Sequence, residues 1–413
     1  MNNRIINFLR DNKFFLAVNN LKHRSIVKKL KSKNSINLLF LTNHISQWKY
    51  QTLLEKFLKN NRYNCSVVFL PDENYNNNYV ESYNFNKDEF KKKNIDLISS
   101  FNLTEKKWIN LDKIYKPDIV FFSRSLIKRK SKYSIFSFNN SLTCYVPYSL
   151  FIDNNDKLQC ATLFHKLLWK QFLPYQDNFE IAKKYYKGNN ILITDYLGCD
   201  PFKIKKYDPI TWKNKKFKKI IWAPHHTIDN NNKNYFSTFF KFHKLIIELA
   251  NKYKDSIDFC FKPHPALKQK LYDHVDWGVN KTNDYYNYWS NTHNTLLSEN
   301  DYHNLFIESD GLILDSVSFT AEYLYLNKPY CFLTKDDFDY ANSLNSIGNK
   351  IFSIIDKAHN FESLDHFIKN SILTENINQI NKQKILLNSL NKNNNPNFLA
   401  SDNIYNFIDE EIS

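Results

Sequence analysis

Glycine is scarce in this sequence: the 413-residue chain holds only five. No Gly-x-Gly-x-x-Gly or Gly-x-x-x-x-Gly-Lys-Ser/Thr string occurs, which argues against a dinucleotide oxidoreductase or a Walker-type ATPase, whose loops need glycine beside the phosphates. The six cysteines (Cys65, Cys144, Cys160, Cys199, Cys260 and Cys331) are widely spaced and form no C-x-x-C pair. Several sit in apolar runs, so buried reduced thiols and a reducing cytosol are expected. No run of about 18 apolar residues is present to span a bilayer. The N-terminus lacks the apolar core and A-x-A-like site of a secretory signal. A soluble or peripheral cytoplasmic protein is expected.

What is present is a large, basic, aromatic-rich chain. Hydrophobic residues make up 42% and aromatics 16%, enough for substantial cores. The length suggests two domains of about 200 residues each. The many Asn, Lys, Ile and Tyr residues look like mutational bias in an AT-rich genome, so Asn runs are not read as disorder. Net charge is +15, from 57 basic and 42 acidic side chains, and such a surface attracts phosphate-rich partners. Lys is scattered and no nucleic-acid module is recognisable, so an anionic membrane surface or an anionic substrate fits better than nucleic acid.

Short apolar runs alternate with helix-like segments. Strands are expected at 36–42, 65–70, 118–123, 142–146 and 190–194, with helices at 47–60, 163–172 and 178–186. The second half repeats the rhythm, with strands at 219–223, 257–262, 311–314 and 330–333 and helices at 235–253, 266–274 and 319–326. Strand–helix–strand alternation predicts parallel sheets with crossover helices. The expected architecture is α/β, two parallel-sheet domains facing a cleft, 1–205 and 206–413. The basic, aperiodic stretch 203–218 reads as a hinge.

The first 33 residues stand apart. Ile5, Ile6, Leu9, Phe14, Phe15, Val18 and Leu21 precede Lys22, His23, Arg24, Lys28, Lys29, Lys31 and Lys33. A basic amphipathic helix on a membrane surface and a helix docked on the first domain both account for this pattern.

Ligands of open α/β sheets sit outside the carboxyl ends of the strands. Three such ends in the second half carry Pro224-His225-His226-Thr227, Pro263-His264-Pro265 and Asp315-Ser316-Val317-Ser318. His264, held between two prolines, is placed to donate a hydrogen bond to a phosphate oxygen. Backbone N–H groups and the hydroxyls of Ser316 and Ser318 at a helix start suit a diphosphate, although N-capping explains serines there equally well. Glu322, one turn on, is either a ribose ligand or a surface carboxylate. Lys262 lies one residue inside the strand and receives no role.

Taken in order, Ile221-Trp222-Ala223-Pro224-His225-His226, Lys262-Pro263-His264-Pro265, Ser309-Asp310, Asp315-Ser316-Val317-Ser318-Phe319, Glu322-Tyr323-Leu324 and Lys328-Pro329 resemble the CDP-glycerol glycerophosphotransferase family. That family includes teichoic-acid primases, polymerases and related capsule enzymes. The likeness covers about 215–335 well and the first half only in layout. It implies a GT-B-type fold of two Rossmann-like domains, with the donor nucleotide held mainly by the second. It also implies transfer of a polyol phosphate from a CDP-linked donor to a hydroxyl of a glycan or lipid-linked acceptor, with release of CMP at the inner membrane face. No cofactor is implied beyond the donor as substrate. By resemblance, His264, Ser316 and Ser318 hold donor phosphates, and Asp315 and Glu322 belong to the same donor site.

The chain departs from the family at one point. Many members carry a first-half Trp-His-Gly motif whose His is the general base, whereas the corresponding strand end here reads Tyr145-Val146-Pro147-Tyr148-Ser149. The base candidates are therefore His44, His225 and His226 beside His264. A GT-B glycosyltransferase using a nucleotide sugar, CMP-linked acidic sugars included, is the nearest rival reading. A metal-dependent phosphohydrolase using His225, His226, His264, Asp310 and Asp315, or a non-catalytic membrane-surface protein, are the others. No H-x-x-x-H or H-E-x-x-H spacing supports a metal centre. The chain has little beyond two domains, which points to single rather than repeated transfer.

Overall fold

A computed structural model describes residues 13–70, 79–125, 133–204, 209–210, 212–228, 236–299, 302–336, 338–374, 377–390 and 398–413. The chain divides into two units. One comprises Met1–Leu150, Asn155–Lys203 and Asn391–Ser413; the other comprises Phe151–Asn154 and Ile204–Leu390.

The first unit is built on β1 (Ile36–Thr42), β2 (Tyr63–Phe69), β3 (Leu97–Ser99), β6 (Ile119–Phe122), β7 (Leu142–Tyr145), β8 (Lys170–Leu173) and β9 (Ile191–Ile193); β4 (Phe101–Asn102) and β5 (Lys107–Trp108) form a small hairpin. The seven strands pair in the order β3-β2-β1-β6-β7-β8-β9, all parallel. Alternate residues serve opposite faces. Ile36, Leu38 and Phe40 enter one core, and Leu39 and Leu41 the other. A sheet covered on both sides needs such continuous apolar runs.

The second unit holds β10 (Lys218–Ala223), β11 (Ile257–Phe261), β12 (Thr295–Leu297), β13 (Gly311–Leu314), β14 (Tyr330–Leu333) and β15 (Asp356–Ala358), ordered β12-β11-β10-β13-β14-β15 and all parallel. Its core centres on the fully buried Trp222, stacked between Phe239 and Phe261 at centroid distances of 5.8 and 5.0 Å. In each sheet the chain moves outward on one side of its first strand and then returns to the other side. The switch points are therefore β1/β6 and β10/β13.

Two local expectations are corrected. Residues 163–172 are not one helix: a short helix, Leu163–Leu167, gives way to β8, an inner strand between β7 and β9. Apolar periodicity cannot separate a short buried strand from a helix. The C-terminal helix Ala400–Ile412 packs on the first unit rather than extending the second, because Ile404, Ile408 and Ile412 bury one stripe beside Ile26, Leu30, Leu53 and Phe57. Part of the stretch read as a hinge is bonded within the second unit. The Ile210 N–H donates to Glu308 (2.7 Å), and the Asn214 backbone and side chain both donate to Asp258 (2.8 and 2.7 Å). Residues 205–208 and 211 of that stretch lie outside the described residues.

The N-terminal helix Lys13–Lys31 buries His23, Ile26 and Leu30 while Phe14, Val18 and Leu21 are exposed. Ile5, Ile6 and Leu9 lie outside the described residues. Among the described residues no helix is long and apolar enough to cross a membrane. The six cysteines are thiols, five of them buried.

Candidate functional site

The three strand ends singled out in the sequence come together at the β10/β13 switch point of the second unit. β10 pairs with both β11 and β13. The pairing continues past the strands, with Lys262 N–H bonded to Trp222 O (2.8 Å) and His264 N–H to Pro224 O (3.1 Å). This fixes the two His-bearing turns side by side. The ring centroids of His226 lie 4.4 Å from His225 and 4.1 Å from His264, and those of His225 and His264 are 5.3 Å apart. All three rings are half-buried.

Burial, then the neighbouring His226 and Lys270, lowers His225 to about 3. Burial, then His226, His225, Lys262 and Lys270, lowers His264 to about 2. Both rings are thus neutral near pH 7, and hydrogen bonds set which nitrogen carries the proton. The Ala266 N–H donates to His264 Nδ1 (3.1 Å), so the proton of the neutral ring sits on Nε2. Thr227 Oγ1 accepts the N–H groups of Phe236 (3.0 Å) and Ser237 (3.3 Å), so its own O–H points to His225 Nδ1 (2.9 Å). His225 therefore also carries its proton on Nε2. Both rings present N–H donors, which suits phosphate oxygens.

The ring nitrogens of the three histidines lie within 4.8 Å of one another, a spacing that could gather a metal ion. The wiring fits a metal poorly. A histidine bound through Nε2 normally donates its Nδ1–H to an acceptor, whereas here both Nδ1 atoms receive donors.

Asp315 is not at the surface of this site. It is fully buried. One carboxylate oxygen accepts the His225 N–H (2.5 Å), and the other accepts the Thr238 N–H and hydroxyl, the latter at 2.9 Å. Burial raises it to about 6, against the pull of these bonds and of Lys335. Its observed role is to brace the histidine turn. Ser316 stands at the N-cap of the helix Val317–Tyr323 with no side-chain cap hydrogen bond, so capping does not occupy its hydroxyl. Ser318 is half-buried in the first turn. That helix has seven residues, so its first-turn N–H groups rather than a long helix dipole are what it offers an anion. Glu322 is buried rather than on the surface, and its carboxylate accepts the Tyr302 hydroxyl. A ribose hydroxyl reaching it would share that carboxylate with Tyr302.

His44 belongs to the first unit, after β1. Its Nδ1 accepts the Ser46 N–H (3.1 Å) and its ring faces Phe85. In neutral form it too presents an Nε2–H donor. Sequence reasoning missed Thr227, Thr238, Tyr302 and the nearby cations Lys262 and Lys270. Thr227 and Lys262 stand in the quoted motifs without a role, and Thr238, Lys270 and Tyr302 carry no local signal, because the chain's tertiary path brings them to the site.

With this geometry in view, residues 203–398 match the family model for CDP-glycerol:poly(glycerophosphate) glycerophosphotransferases. That segment, a little under half of the chain, is similar to this family. The motif resemblance is borne out there, and the protein is a transferase. Among solved structures, a variant of the wall teichoic acid polymerase TagF is similar at 14% identity, with 95% of this chain and 93% of that chain covered and a TM-score of 0.59. S. aureus MnaA, solved with UDP, is similar at 15% identity, 90% and 96% coverage and a TM-score of 0.59. UDP-GlcNAc 2-epimerase from Neisseria meningitidis, bound to UDP-GlcNAc, follows at 12% identity, 90% and 99% coverage and a TM-score of 0.57. At such identities the likeness is one of fold, and it agrees with two parallel-sheet α/β units of the GT-B type. No curated protein matches the sequence.

Proposed function

We propose that this transferase takes a CDP-linked polyol phosphate, such as CDP-glycerol, and passes the polyol phosphate to a hydroxyl of a glycan or lipid-linked acceptor. One observation carries the reading: His225 and His264 are held as neutral Nε2–H donors after neighbouring strands, on the same carboxyl edge of the sheet as Ser316 and Ser318. Each hydrogen bond to an ionised phosphate there contributes roughly 1.5–3 kcal/mol, and Lys262 and Lys270 offset its charge. His226, between the two donor rings, is the proton acceptor of this reading. His44 is less suited to that role in this reading, since its Nδ1 accepts the Ser46 N–H. The acceptor hydroxyl gives its proton to His226 and its oxygen attacks the polyol-bearing phosphorus. The bond from that phosphorus to the bridging oxygen breaks, and CMP leaves with the electron pair. The reading requires no cofactor beyond the donor.

The same reading places the protein on the inner face of the membrane, supported by the exposed Phe14, Val18 and Leu21 on a helix whose last turn carries Lys28, Lys29 and Lys31. CMP release from CDP-glycerol, followed by mass spectrometry of the product, tests the chemistry. A product without added phosphorus sinks the reading in favour of sugar transfer.

A further inference from the structure

Asp315 braces the histidine turn only as an acceptor. One of its oxygens takes the His225 N–H and the other the Thr238 N–H and hydroxyl. A protonated carboxyl would turn one of those oxygens into an O–H aimed at an N–H. An ionised carboxyl buried this completely is costly unless a cation stands near it.

The end of β14 supplies that cation. β13 pairs with β14 so that Leu314 stands opposite Phe332, and Lys335 follows two residues after the strand, on the carboxyl edge beside Asp315. The turn that carries it is fastened on both sides. The Thr334 N–H donates to Ala358 O (2.8 Å), and the Lys335 N–H to the Tyr340 hydroxyl oxygen (3.0 Å). Phe338 packs on Phe236 at 5.2 Å between centroids, and Lys241 pairs with Asp336 at 3.1 Å. Phe236 and Lys241 flank Thr238, which Asp315 holds. Lys335 is half-buried, and its charge and that of Asp315 act on each other.

We propose that Lys335 is a positioning residue: it keeps Asp315 ionised and, through Asp315, holds the turn that carries His225 and His226. Its effect on turnover rests on the transferase reading above; the charge coupling to Asp315 does not.

The pairing has a pH window. Burial raises Asp315 to about 6 even with Lys335 beside it, and burial lowers Lys335 to about 8 with Asp315 opposing that shift. Both are charged between those values. Of the other groups that face the pair, the Tyr340 hydroxyl is raised by burial to about 12 and stays neutral there. Asp336 is paired with Lys241, and the His225 ring, lowered to about 3, is neutral. Without Lys335, Asp315 takes its proton at a higher pH. The brace then fails near neutrality and returns as pH rises.

The test is carbon NMR of the aspartate carboxyls in the full chain, with Asp315→Asn assigning the signal, beside CMP release from CDP-glycerol followed against pH. In Lys335→Met the Asp315 carboxyl is expected to titrate about one pH unit or more above its wild-type position. CMP release by that variant should fall about threefold or more at pH 6.5 and approach the wild-type rate at pH 8.5, where the wild-type lysine has also lost most of its charge. Lys335→Arg should restore both readouts, and Lys335→Gln replaces the methionine variant if that one fails to fold. The proposal is overturned if the Asp315 signal titrates alike with and without the lysine. It is also overturned if the loss of CMP release is equal at every pH, the mark of a direct donor contact or a structural fault. A chain that releases no CMP from CDP-glycerol defeats the transferase reading, while the carboxyl titration still decides the charge coupling.

Discussion

The Asp315 carboxylate accepts the backbone N–H of His225 at 2.5 Å, so a fully buried acid at the end of β13 sets the turn that carries two of the three clustered histidines. The same carboxylate holds Thr238 at the entry to the helix Phe239–Lys252. Asp315→Asn turns one acceptor end into an N–H₂ that faces N–H donors. A loss of about 3 kcal/mol in stability is expected, since a charged acceptor is removed from buried donors. Urea unfolding checks this, and an unchanged midpoint would contradict the brace. CMP release should fall more steeply than donor affinity, because Asp315 acts on the histidines rather than on the ligand.

The depressed histidines set a pH dependence. In an unfolded chain histidine takes a proton near pH 6.5. In the fold His225 does so at about 3, His264 at about 2, His165 at about 3 and His23 at about 4, all chiefly through burial. Between those values and 6.5 the unfolded chain binds more protons, so stability is full above 6.5 and is lost as pH falls below it. Asp315 runs the other way: its folded value near 6 exceeds the ordinary 3.8 of a free carboxyl, so it favours the fold as pH drops through that span. The four histidine shifts outnumber the raised carboxylates Asp112, Asp200 and Asp315, which leaves a net loss on acidification. Denaturation midpoints should fall from neutral pH to about pH 5, and His225→Gln should flatten the slope.

Thr227 tests the tautomer argument directly. Thr227→Val keeps the shape but removes the O–H that donates to His225 Nδ1 and strips the Phe236 and Ser237 N–H groups of their acceptor. Nitrogen NMR of the labelled imidazole should then show His225 losing its pure Nε2–H form, with stability down by about 1–3 kcal/mol for each buried group left without a partner. Thr227→Ser should restore both. Retention of the Nε2–H form in the valine variant would refute the assignment.

Much of this was legible in the sequence, for a physical reason. β1, β13 and β14 are buried on both faces, so their apolar runs stand out against charged flanks, and their observed bounds match the expected ones. The clustering of His225, His226 and His264 followed from the carboxyl-edge rule alone. Less legible were the strands β3, β12 and β15, each three residues long, where periodicity has no room to appear. The inward turn of Asp315 and Glu322 was also hidden. Their partners, Thr238 and Tyr302, are 77 and 20 residues away, and spacing does not encode such contacts.

The exposed face of the N-terminal helix carries a prediction about location. Phe14, Val18 and Leu21 recur at i, i+4 and i+7 and are 78%, 47% and 62% exposed. Exposed side chains contribute little to folding, so replacing all three with serine should leave the unfolding midpoint nearly unchanged. If the face lies on lipid, the triple variant should lose binding to vesicles rich in anionic lipid, and wild-type binding should weaken with salt. Equal vesicle binding by both proteins would assign this face another role.

The final prediction concerns how the chain's end is held. Asp200, buried beside the helix Asp200–Ile204, accepts the N–H groups of Ala400 (2.8 Å) and Ser401 (3.0 Å) and the Thr52 hydroxyl (3.1 Å). Burial raises its pKa, and these bonds with Lys203 pull it back. The acid thus gathers three donors from segments far apart in sequence and fixes the start of the helix Ala400–Ile412. Asp200→Ala leaves all three donors buried without an acceptor, at about 1–3 kcal/mol each before relaxation. The helix can relax by detaching, so the loss should be local. Amide exchange should accelerate across 400–412 well before it does in β10, β11 and β13, and CDP-glycerol binding by the second unit should persist. Uniform acceleration across both units would show that the C-terminal helix is not a separate element of stability.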